Sequence, residues 1–343
     1  MQMEKPAADF IIIGENVHTT RAITAKSSRL TKQGGMEGLA FKALNGTDLF
    51  LPLSEELMAG QDYRQKRIKH VKLAVEAGMS DDKFSVVGIE YLRKIVHDQE
   101  QADAHYLDIN VDEISVDPEH QTRAMRWLVE QVQDMSQLPL SIDSSSIDLI
   151  RTGLKAIRDG AERPLLNSAS LERIEGLDLA RQFNTSVIVT SAGQSAMPDG
   201  ANERIENASQ MVEAALKCGI DLADVFVDPL VFPISVDSSY GLDTLSAISG
   251  IRKRFGPGIR ITGGMSNVSF GIPKRSVINT MFLMLALEAG ADSGIIDPVM
   301  NPMSRVREVD RSSLAFHLAQ DALLGQDEFC GRYIAAWRAG ELG

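Results

Sequence analysis

Short runs of aliphatic residues recur along the chain, and each run gives way to polar residues. Near-continuous apolar runs of this length are typical of strands that are buried on both faces, as they are in parallel sheets. This recurrence constrains the fold more than any other feature of the sequence. The candidate strands are residues 10–16, 105–111, 138–143, 164–170, 186–192, 225–231, 260–266 and 293–299.

Amphipathic stretches of helical length separate most of these runs. Residues 118–135 repeat apolar side chains on one face, and residues 274–290 are nearly all apolar and end at Gly290. A glycine there suits a left-handed C-terminal cap. Eight strands alternating with helices favour an α/β fold of the (β/α)8 TIM-barrel type, with a doubly wound open sheet as the alternative. Neither a dinucleotide-type glycine fingerprint nor a GxxxxGK phosphate loop occurs.

One segment interrupts the alternation. Residues 17–85 separate the first strand from the first expected barrel helix, which is too long for an ordinary βα loop. Within it, residues 54–78 are predicted to be helical, and residues 30–50 irregular or weakly strand-like. Loops after barrel strands emerge on the face that carries active sites. We therefore predict a single domain over residues 1–343 with 17–85 as an inserted, cap-like segment; a peripheral decoration is the alternative.

Composition excludes several partner classes. The formal net charge of −12 argues against nucleic acid or an anionic membrane as the main partner. Cys218 and Cys330 lie far apart and give neither a disulfide framework nor a cysteine-based zinc site. No stretch has the length of a bilayer span, and the N-terminus lacks the features of a signal peptide. We expect a cytoplasmic protein.

The predicted strands end in carboxylates and amides. In a barrel these ends converge on one pocket. Paired Asp and Asn side chains suit a flat heterocycle with ring N–H donors and carbonyl or ring-nitrogen acceptors, such as a pterin. No cluster of metal ligands is visible, so no bound metal is expected. His18 is the one histidine near a strand end, and a lone histidine is more often structural than catalytic. The strand-end residues are Glu15, Asn16, Asp108, Asn110, Asp143, Asn167, Ser191, Asp228, Asn267 and Asp297.

In these contexts, the chain resembles the pterin-binding family of (β/α)8 barrels. The resemblance is to the methyltetrahydrofolate:corrinoid methyltransferases and the folate module of cobalamin-dependent methionine synthase. It rests on "YLDINV", "LSIDSSS", "PLLNSAS", "VFVDPLVFP" and "GGMSNVSFGIPKRSVINTMFL", with "IIIGEN" at the start. The last stretch is long and the most specific, and the others follow in the expected order at the expected strand ends.

The resemblance implies a role for each matching residue. Asp143, Asn167 and Asp228 match the residues that hold the pterin ring, and Asp108 and Asn110 match an Asp-x-Asn that shapes the same pocket. Asn267 matches the asparagine that reaches the N5 side of the folate, and Arg275 matches a basic residue near the folate. Glu15 and Asn16 belong to the same pocket by position.

The first strand departs from the family pattern. Gly-Glu-Arg with an asparagine two residues further on is common in the family. This chain reads "GENVHTTR", so Asn16 takes the place of the arginine and His18 that of the asparagine. The long insertion follows at once. We expect this corner of the pocket to be specialised.

The resemblance implies methyl transfer between N5 of (methyl)tetrahydrofolate and the cobalt of a corrinoid supplied by another protein or as free cobalamin. N5 must gain a proton or a hydrogen bond as its bond to carbon breaks, so the enzyme needs a rigid grip on the pterin and a group that favours the transition state. Asn267 is the expected catalytic group, with Asp108 relaying a proton. The direction of transfer stays open, a demethylation pathway included, and homodimerisation is usual for the family.

Two alternatives remain from the sequence. A dihydropteroate synthase would use the same barrel for different chemistry, but its sixth and seventh strands should supply cations, and here they read "VDPLVFP" and "MSNVSF". A non-catalytic pterin-binding subunit of a methyltransferase complex is the second alternative.

Overall fold

The computed structural model describes residues 10–342, and in them all eight predicted strands form where they were expected. In chain order the strands are β1 (Ile11–His18), β2 (Ala22–Thr24), β3 (Leu30–Gln33), β4 (Met36–Lys42), β5 (Asp48–Pro52), β6 (Arg67–Lys69), β7 (Tyr106–Asn110), β8 (Leu140–Asp143), β9 (Leu165–Ala169), β10 (Ser186–Thr190), β11 (Val225–Asp228), β12 (Arg260–Ile261) and β13 (Ser293–Ile296).

Most of the α-helices lie between the strands of the eight-stranded sheet described below. They are α1 (Glu55–Ala59), α2 (Gln61–Arg64), α3 (His70–Met79), α4 (Ser85–Glu100), α5 (Pro118–Met135), α6 (Ile147–Ala156), α7 (Glu175–Phe183), α8 (Gly200–Lys217), α9 (Tyr240–Phe255), α10 (Arg275–Ala289), α11 (Met303–Arg307), α12 (Leu314–Leu323) and α13 (Gly331–Arg338). None of the helices in residues 10–342 combines the length and the apolarity that a membrane span requires.

Eight strands, which are β1 and β7 to β13, form one sheet in the order β12-β11-β10-β9-β8-β7-β1-β13. A parallel bridge between Gly264 and Ile295 joins the two outer strands, and the Ile295 N–H donates to the Gly263 carbonyl at 2.9 Å. The fold is therefore the (β/α)8 barrel that the alternation of strands and helices predicted, and not the open doubly wound sheet.

Burial on both faces explains why the strand signal was strong. Every residue of β9 and of β10 is buried, which is the environment that near-continuous apolar sequence favours. Helix α5 shows the complementary pattern, because its buried residues recur at helical spacing and Asp117 caps its N-terminus by accepting from the Glu119 N–H. Gly290 ends α10 with a φ of 111°, as expected for a C-terminal cap.

The insertion is more regular than its sequence indicated. Residues 30–52 form an antiparallel three-stranded sheet, β3-β4-β5, whereas residues 30–50 were predicted to be irregular or weakly strand-like. The helix predicted over 54–78 is wrong in its continuity, because it is split into α1, α2, β6 and α3. Gly60 lies between α1 and α2 in an extended conformation, and Lys66 has a φ of 61°, so the chain leaves the helical region twice.

Tyr91 of α4 anchors the insertion to the first barrel helix. Its ring packs edge-on against Phe41 at 4.9 Å between centroids, and its hydroxyl lies 3.1 Å from His70 Nδ1 and 3.2 Å from Arg29 Nη1. A second attachment joins Lys69 Nζ to Glu113 Oε2 at 2.8 Å, on the loop that follows β7. The insertion therefore contacts both a barrel helix and a loop at the carboxyl end of a strand, and its role as a cap stays a prediction.

Contacts among the described residues group into two units. The first unit comprises residues 10–14, 102–105 and 165–342, and the second comprises residues 15–101 and 106–164. The first contains β9 to β13 and the second contains the insertion with β7 and β8. The prediction of one domain over the whole chain stays a prediction.

Replacing Tyr91 by Phe is expected to lower the free energy of unfolding by about 1–2 kcal/mol, because it leaves the buried His70 ring nitrogen without its hydroxyl partner. Chemical denaturation of the purified protein measures this. Tyr63→Phe is the matched control, since the Tyr63 hydroxyl donates to Glu37 near solvent and its loss should change stability much less. Equal effects of the two changes would mean that Tyr91 does not anchor the insertion through its hydroxyl.

Candidate active site

The candidate residues fall into one group in each unit. Each group is built on the carboxyl ends of its strands, where barrels carry their active sites. The second unit contributes Glu15, Asn16, His18, Asp108, Asn110 and Asp143, and the first contributes Asn167, Asp228, Asn267 and Arg275.

The group in the second unit is set by the register of two neighbouring parallel strands. Asn110 of β7 pairs with Asp143 of β8, and Asp108 pairs with Ser141. The Asn110 amide donates to Asp143 Oδ2 at 2.8 Å. Because successive residues in a strand alternate faces, Asp108 and Asn110 share one face of β7. The predicted Asp-x-Asn motif therefore meets Asp143 directly.

His18 joins this group from the end of β1. Its Nε2 lies 2.8 Å from Asp108 Oδ2, and the Asp108 side chain is fully buried. Burial alone would lower the pKa of His18, but the hydrogen bond and charge of Asp108, with the charges of Asp143 and Glu15, raise it above its ordinary value. His18 is therefore a partner of a carboxylate and not an isolated structural histidine.

The pKa of Asp143 is also shifted by its surroundings. Burial, and after it the nearby charge of Asp108, raise the pKa of Asp143 to about 7, although His18 and the Asn110 amide favour its ionised form. Two carboxylates held close together away from bulk water explain the direction of this shift. The site can therefore hold a proton at Asp143 near neutral pH.

The surrounding loops fix these side chains. The Asn110 Oδ1 accepts from the Asp112 N–H at 2.9 Å, so its amide is oriented toward Asp143. Asp112 in turn accepts from the Ser144 hydroxyl at 2.5 Å and the Ser145 N–H at 2.8 Å. Asp112 and Ser144 were not predicted as site residues, although Asp112 directly follows "YLDINV" and Ser144 lies within "LSIDSSS".

Glu15 and Asn16 precede His18 on β1. Glu15 Oε1 accepts from Arg21 Nη1 at 3.2 Å, and the Asn16 backbone N–H donates to the Gln99 side chain at 3.0 Å. Their expected contact with a ligand stays a prediction.

Asp228 is the carboxylate of the group in the first unit. It ends β11, is partly buried, and its Oδ1 accepts from the Leu230 N–H at 2.7 Å. Burial raises the pKa of Asp228 to about 6, against the opposing influence of that N–H and of Arg204. A Cβ on Gly263 would lie 3.2 Å from Asp228 Oδ1, so the glycine leaves room for this carboxylate.

Asn267 lies on a 3₁₀ turn, Met265–Ser269, and three residues separate this turn from the end of β12. A Cβ on Gly264 would lie only 2.7 Å from the Asn267 amide nitrogen, so the second glycine makes room for this side chain. Arg275 holds the turn, because its guanidinium donates to the Ser266 carbonyl at 2.7 Å and to the Ser269 hydroxyl at 2.8 Å. The Arg275 guanidinium also lies 4.4 Å from the centroid of the half-exposed Phe270 ring.

Asn167 is buried at a bulge in β9. The pairing with β10 runs from Asn167 opposite Ile188 to Ala169 opposite Val189, so Ser168 is the extra residue. The Ser168 hydroxyl accepts from Arg173 at 3.3 Å. A bulge at this point re-aims the neighbouring side chain, and bulges are frequent beside active sites.

Three potential metal ligands come together where the sequence showed no ligand cluster. One ligand atom from each of His18, Asp108 and Asp143 lies within 4.8 Å of the other two. The spacing along the chain could not reveal this set, because the residues lie on three strands that are far apart in sequence.

Comparison with known proteins agrees with this architecture. The family described as "Pterin binding enzyme" matches residues 79–297. Methylcorrinoid:tetrahydrofolate methyltransferase of Eubacterium limosum is 30% identical over 251 residues, covering 71% of this chain and 86% of that protein. Methionine synthase of Mycobacterium tuberculosis is 28% identical over 243 residues, covering 66% of this chain and 20% of that protein.

The chain belongs to the pterin binding enzyme family. Among solved structures, the 7,8-dihydropteroate synthase of Vibrio fischeri has a TM-score of 0.53 at 16% identity, covering 67% of this chain and 88% of that one. That likeness supports the fold alone. Of the motifs that carried the sequence resemblance, all except the first-strand "IIIGEN" lie inside the matched region of the pterin binding enzyme family, and the insertion lies almost entirely before it.

Asp228→Asn is expected to change how stability depends on pH. The folded-state pKa of about 6 lies above the ordinary value of 3.8, so Asp228 favours the folded state below about pH 4, and this contribution is lost as pH rises through 6. An asparagine has no such loss. The variant should therefore gain stability relative to the wild type between pH 4 and pH 7.5, by at most about 3 kcal/mol.

Denaturant unfolding at both pH values measures this difference. Asp237→Asn is the control with the opposite sign, because the N–H and hydroxyl of Ser239 lower the pKa of the exposed Asp237. A difference in unfolding free energy between Asp228→Asn and wild type that is the same at both pH values would show that folding does not raise the pKa of Asp228.

Proposed function

We propose that this protein catalyses methyl transfer between N5 of a tetrahydrofolate and the cobalt of a corrinoid, in either direction. The corrinoid would be free cobalamin or would be carried by a separate protein. The relative of 30% identity is named for the same pair of substrates, and the alignment covers most of its length. The protein would act as a soluble transferase without a corrinoid domain of its own in residues 10–342.

The observation that carries the proposal is the arrangement of Asp228 and Asn267. Gly263 leaves room for the Asp228 carboxylate, and Gly264 leaves room for the Asn267 amide. Both glycines lie in the segment that follows β12. Asn267 is further held because Arg275 bonds the turn at two points. The carboxylate acceptor at the end of β11 and the adaptable amide on the turn after β12 are thus each accommodated by one glycine of the same Gly-Gly pair.

This arrangement suits a reduced pterin. The Asp228 carboxylate can accept N–H bonds from the amino-pyrimidine edge, and the Asn267 amide can donate or accept toward N5. Asp143, Asn110 and Asn167 are proposed as further pterin contacts, together with Glu15 and Asn16. Arg275 acts first as the group that positions Asn267, and its expected contact with folate is secondary.

When the methyl group moves from the folate to cobalt, the bond between N5 and the methyl carbon breaks while a bond between that carbon and cobalt forms. Cobalt(I) supplies the electron pair and becomes cobalt(III), and the pair left on N5 takes up a proton. A hydrogen bond from Asn267 that strengthens as N5 gains electron density lowers this barrier. The proposed proton relay through Asp108 extends this step, and Asp108 is buried and paired with His18.

The test is a titration with methyltetrahydrofolate and, separately, with tetrahydrofolate, followed by chemically reduced free cob(I)alamin while the visible spectrum is recorded. Formation of methylcobalamin supports the reaction. Tight folate binding without transfer would favour an obligate partner or a non-catalytic pterin-binding subunit. Turnover of a pterin pyrophosphate with aminobenzoate would instead favour dihydropteroate synthase, and absence of folate binding would contradict the proposal.

Asn267→Ala is expected to lower kcat by about 10²-fold or more and to change folate affinity much less, because the amide acts mainly in the transition state. Gly264→Ala should have a similar effect, since its Cβ would displace the same amide. Stopped-flow rates with folate binding by calorimetry separate the two quantities. Asn202→Ala, on the exposed face of α8, is the control. Equal losses in rate and affinity would make Asn267 a binding residue only.

A further inference from the structure

We propose that His18, Asp108 and Asp143 form a binding site for a divalent transition-metal cation. The inference does not require the proposed methyl transfer, although it shares Asp108 and Asp143 with it, and it departs from the expectation from the sequence that no metal is bound. It rests on the geometry of three side chains, one at the end of β1 and one each on β7 and β8, and all three residues belong to the second unit.

The distances suit such a cation. In an octahedral site, ligand atoms at about 2.1 Å from the metal lie about 3.0 Å apart when adjacent and about 4.2 Å apart when opposite. His18 Nε2 and Asp108 Oδ2 are 2.8 Å apart, and all three ligand atoms lie within 4.8 Å of one another. Closing the remaining gap to Asp143 requires a shift of less than about 1 Å, which a side-chain rotation provides.

The charges favour a cation as well. Asp108 and Asp143 bring two carboxylates together, and Glu15 and Asp112 add negative charge around His18 and Asp143, with Arg21 paired to Glu15. Asp108 is fully buried, so its charge is poorly solvated. A divalent cation balances the charges of both carboxylates, whereas His18 balances one.

The surroundings resemble those of built metal sites. Ligating carboxylates are normally oriented by hydrogen bonds from a second layer of residues. The Asn110 amide does this for Asp143 at 2.8 Å and is itself fixed by the Asp112 N–H at 2.9 Å. Ser141 provides a second indication, because its hydroxyl is fully buried, lies opposite Asp108 in the strand register, and has no hydrogen-bond partner within residues 10–342.

One imidazole with two carboxylates points to Mn²⁺, Fe²⁺, Co²⁺ or Zn²⁺ and away from Mg²⁺ and Ca²⁺, which prefer oxygen ligands throughout. Three protein ligands leave positions open for water or substrate, as in catalytic sites. Because a bound cation would share Asp108 and Asp143 with the proposed folate chemistry, binding is best measured on folate-free protein.

The probe is Mn²⁺, added to full-length protein that has been treated with a chelator and dialysed. Loss of the electron paramagnetic resonance signal of free Mn²⁺ gives the stoichiometry and affinity, and pulsed measurements detect a coordinating histidine nitrogen. We expect one saturable site per chain with coupling to one imidazole nitrogen. His18→Asn should weaken binding by at least about tenfold, whereas His317→Asn, on the exposed side of α12, should not.

Circular dichroism establishes that each variant is folded, and Asp143→Asn gives a second test if His18→Asn is not. No saturable binding, or binding without nitrogen coupling, would overturn the inference. So would a Mn²⁺ affinity that neither variant changes. Failure of methyl transfer leaves all these readouts unaffected, so the two proposals can fail separately.

Discussion

The register between β7 and β8 is the constraint on which one half of the candidate site depends. Once Asn110 pairs with Asp143, Asp108 must lie beside Ser141, and two carboxylates come together away from bulk water. A shift of one residue would turn each set of side chains to the opposite face. The raised pKa values of Asp143 and His18 follow from this placement. The unfavourable proximity of the two carboxylates is thus a consequence of strand pairing. The buried apolar residues between the polar ones stabilise that pairing.

The sequence predicted the barrel well because buried parallel strands leave a simple signal. Every strand from β7 to β13 coincides with an apolar run, and β7, β8, β10 and β11 each end on a polar residue. The insertion was harder to predict because its antiparallel strands have mixed burial and short turns, so no single period dominates residues 30–52. The break of the predicted helix after residue 59 depends on backbone conformations at Gly60 and Lys66, which helical periodicity does not reveal.

The candidate site could also be predicted only in part from the sequence. Asp143, Asp228 and Asn267 were accessible from sequence because each lies in a motif at a strand end. The partnership of His18 with Asp108 was not, because it joins residues 90 positions apart and depends on the placement of β1 beside β7 in the sheet. A histidine in place of the amide usual in the family looked like a loss of pattern. In the structure it adds an imidazole to two carboxylates, which changes what this corner can bind.

The motif around Asn267 also shows that a matching residue need not touch the ligand to matter. Gly263 and Gly264 give space to side chains of this chain, Asp228 and Asn267, so their smallness serves the site from within. Arg275 donates hydrogen bonds to the Ser266 carbonyl and the Ser269 hydroxyl, and its guanidinium lies over the Phe270 ring. A planar guanidinium fixed in three directions is a rigid support. The long motif is therefore best understood as one assembly that fixes the position of a single amide.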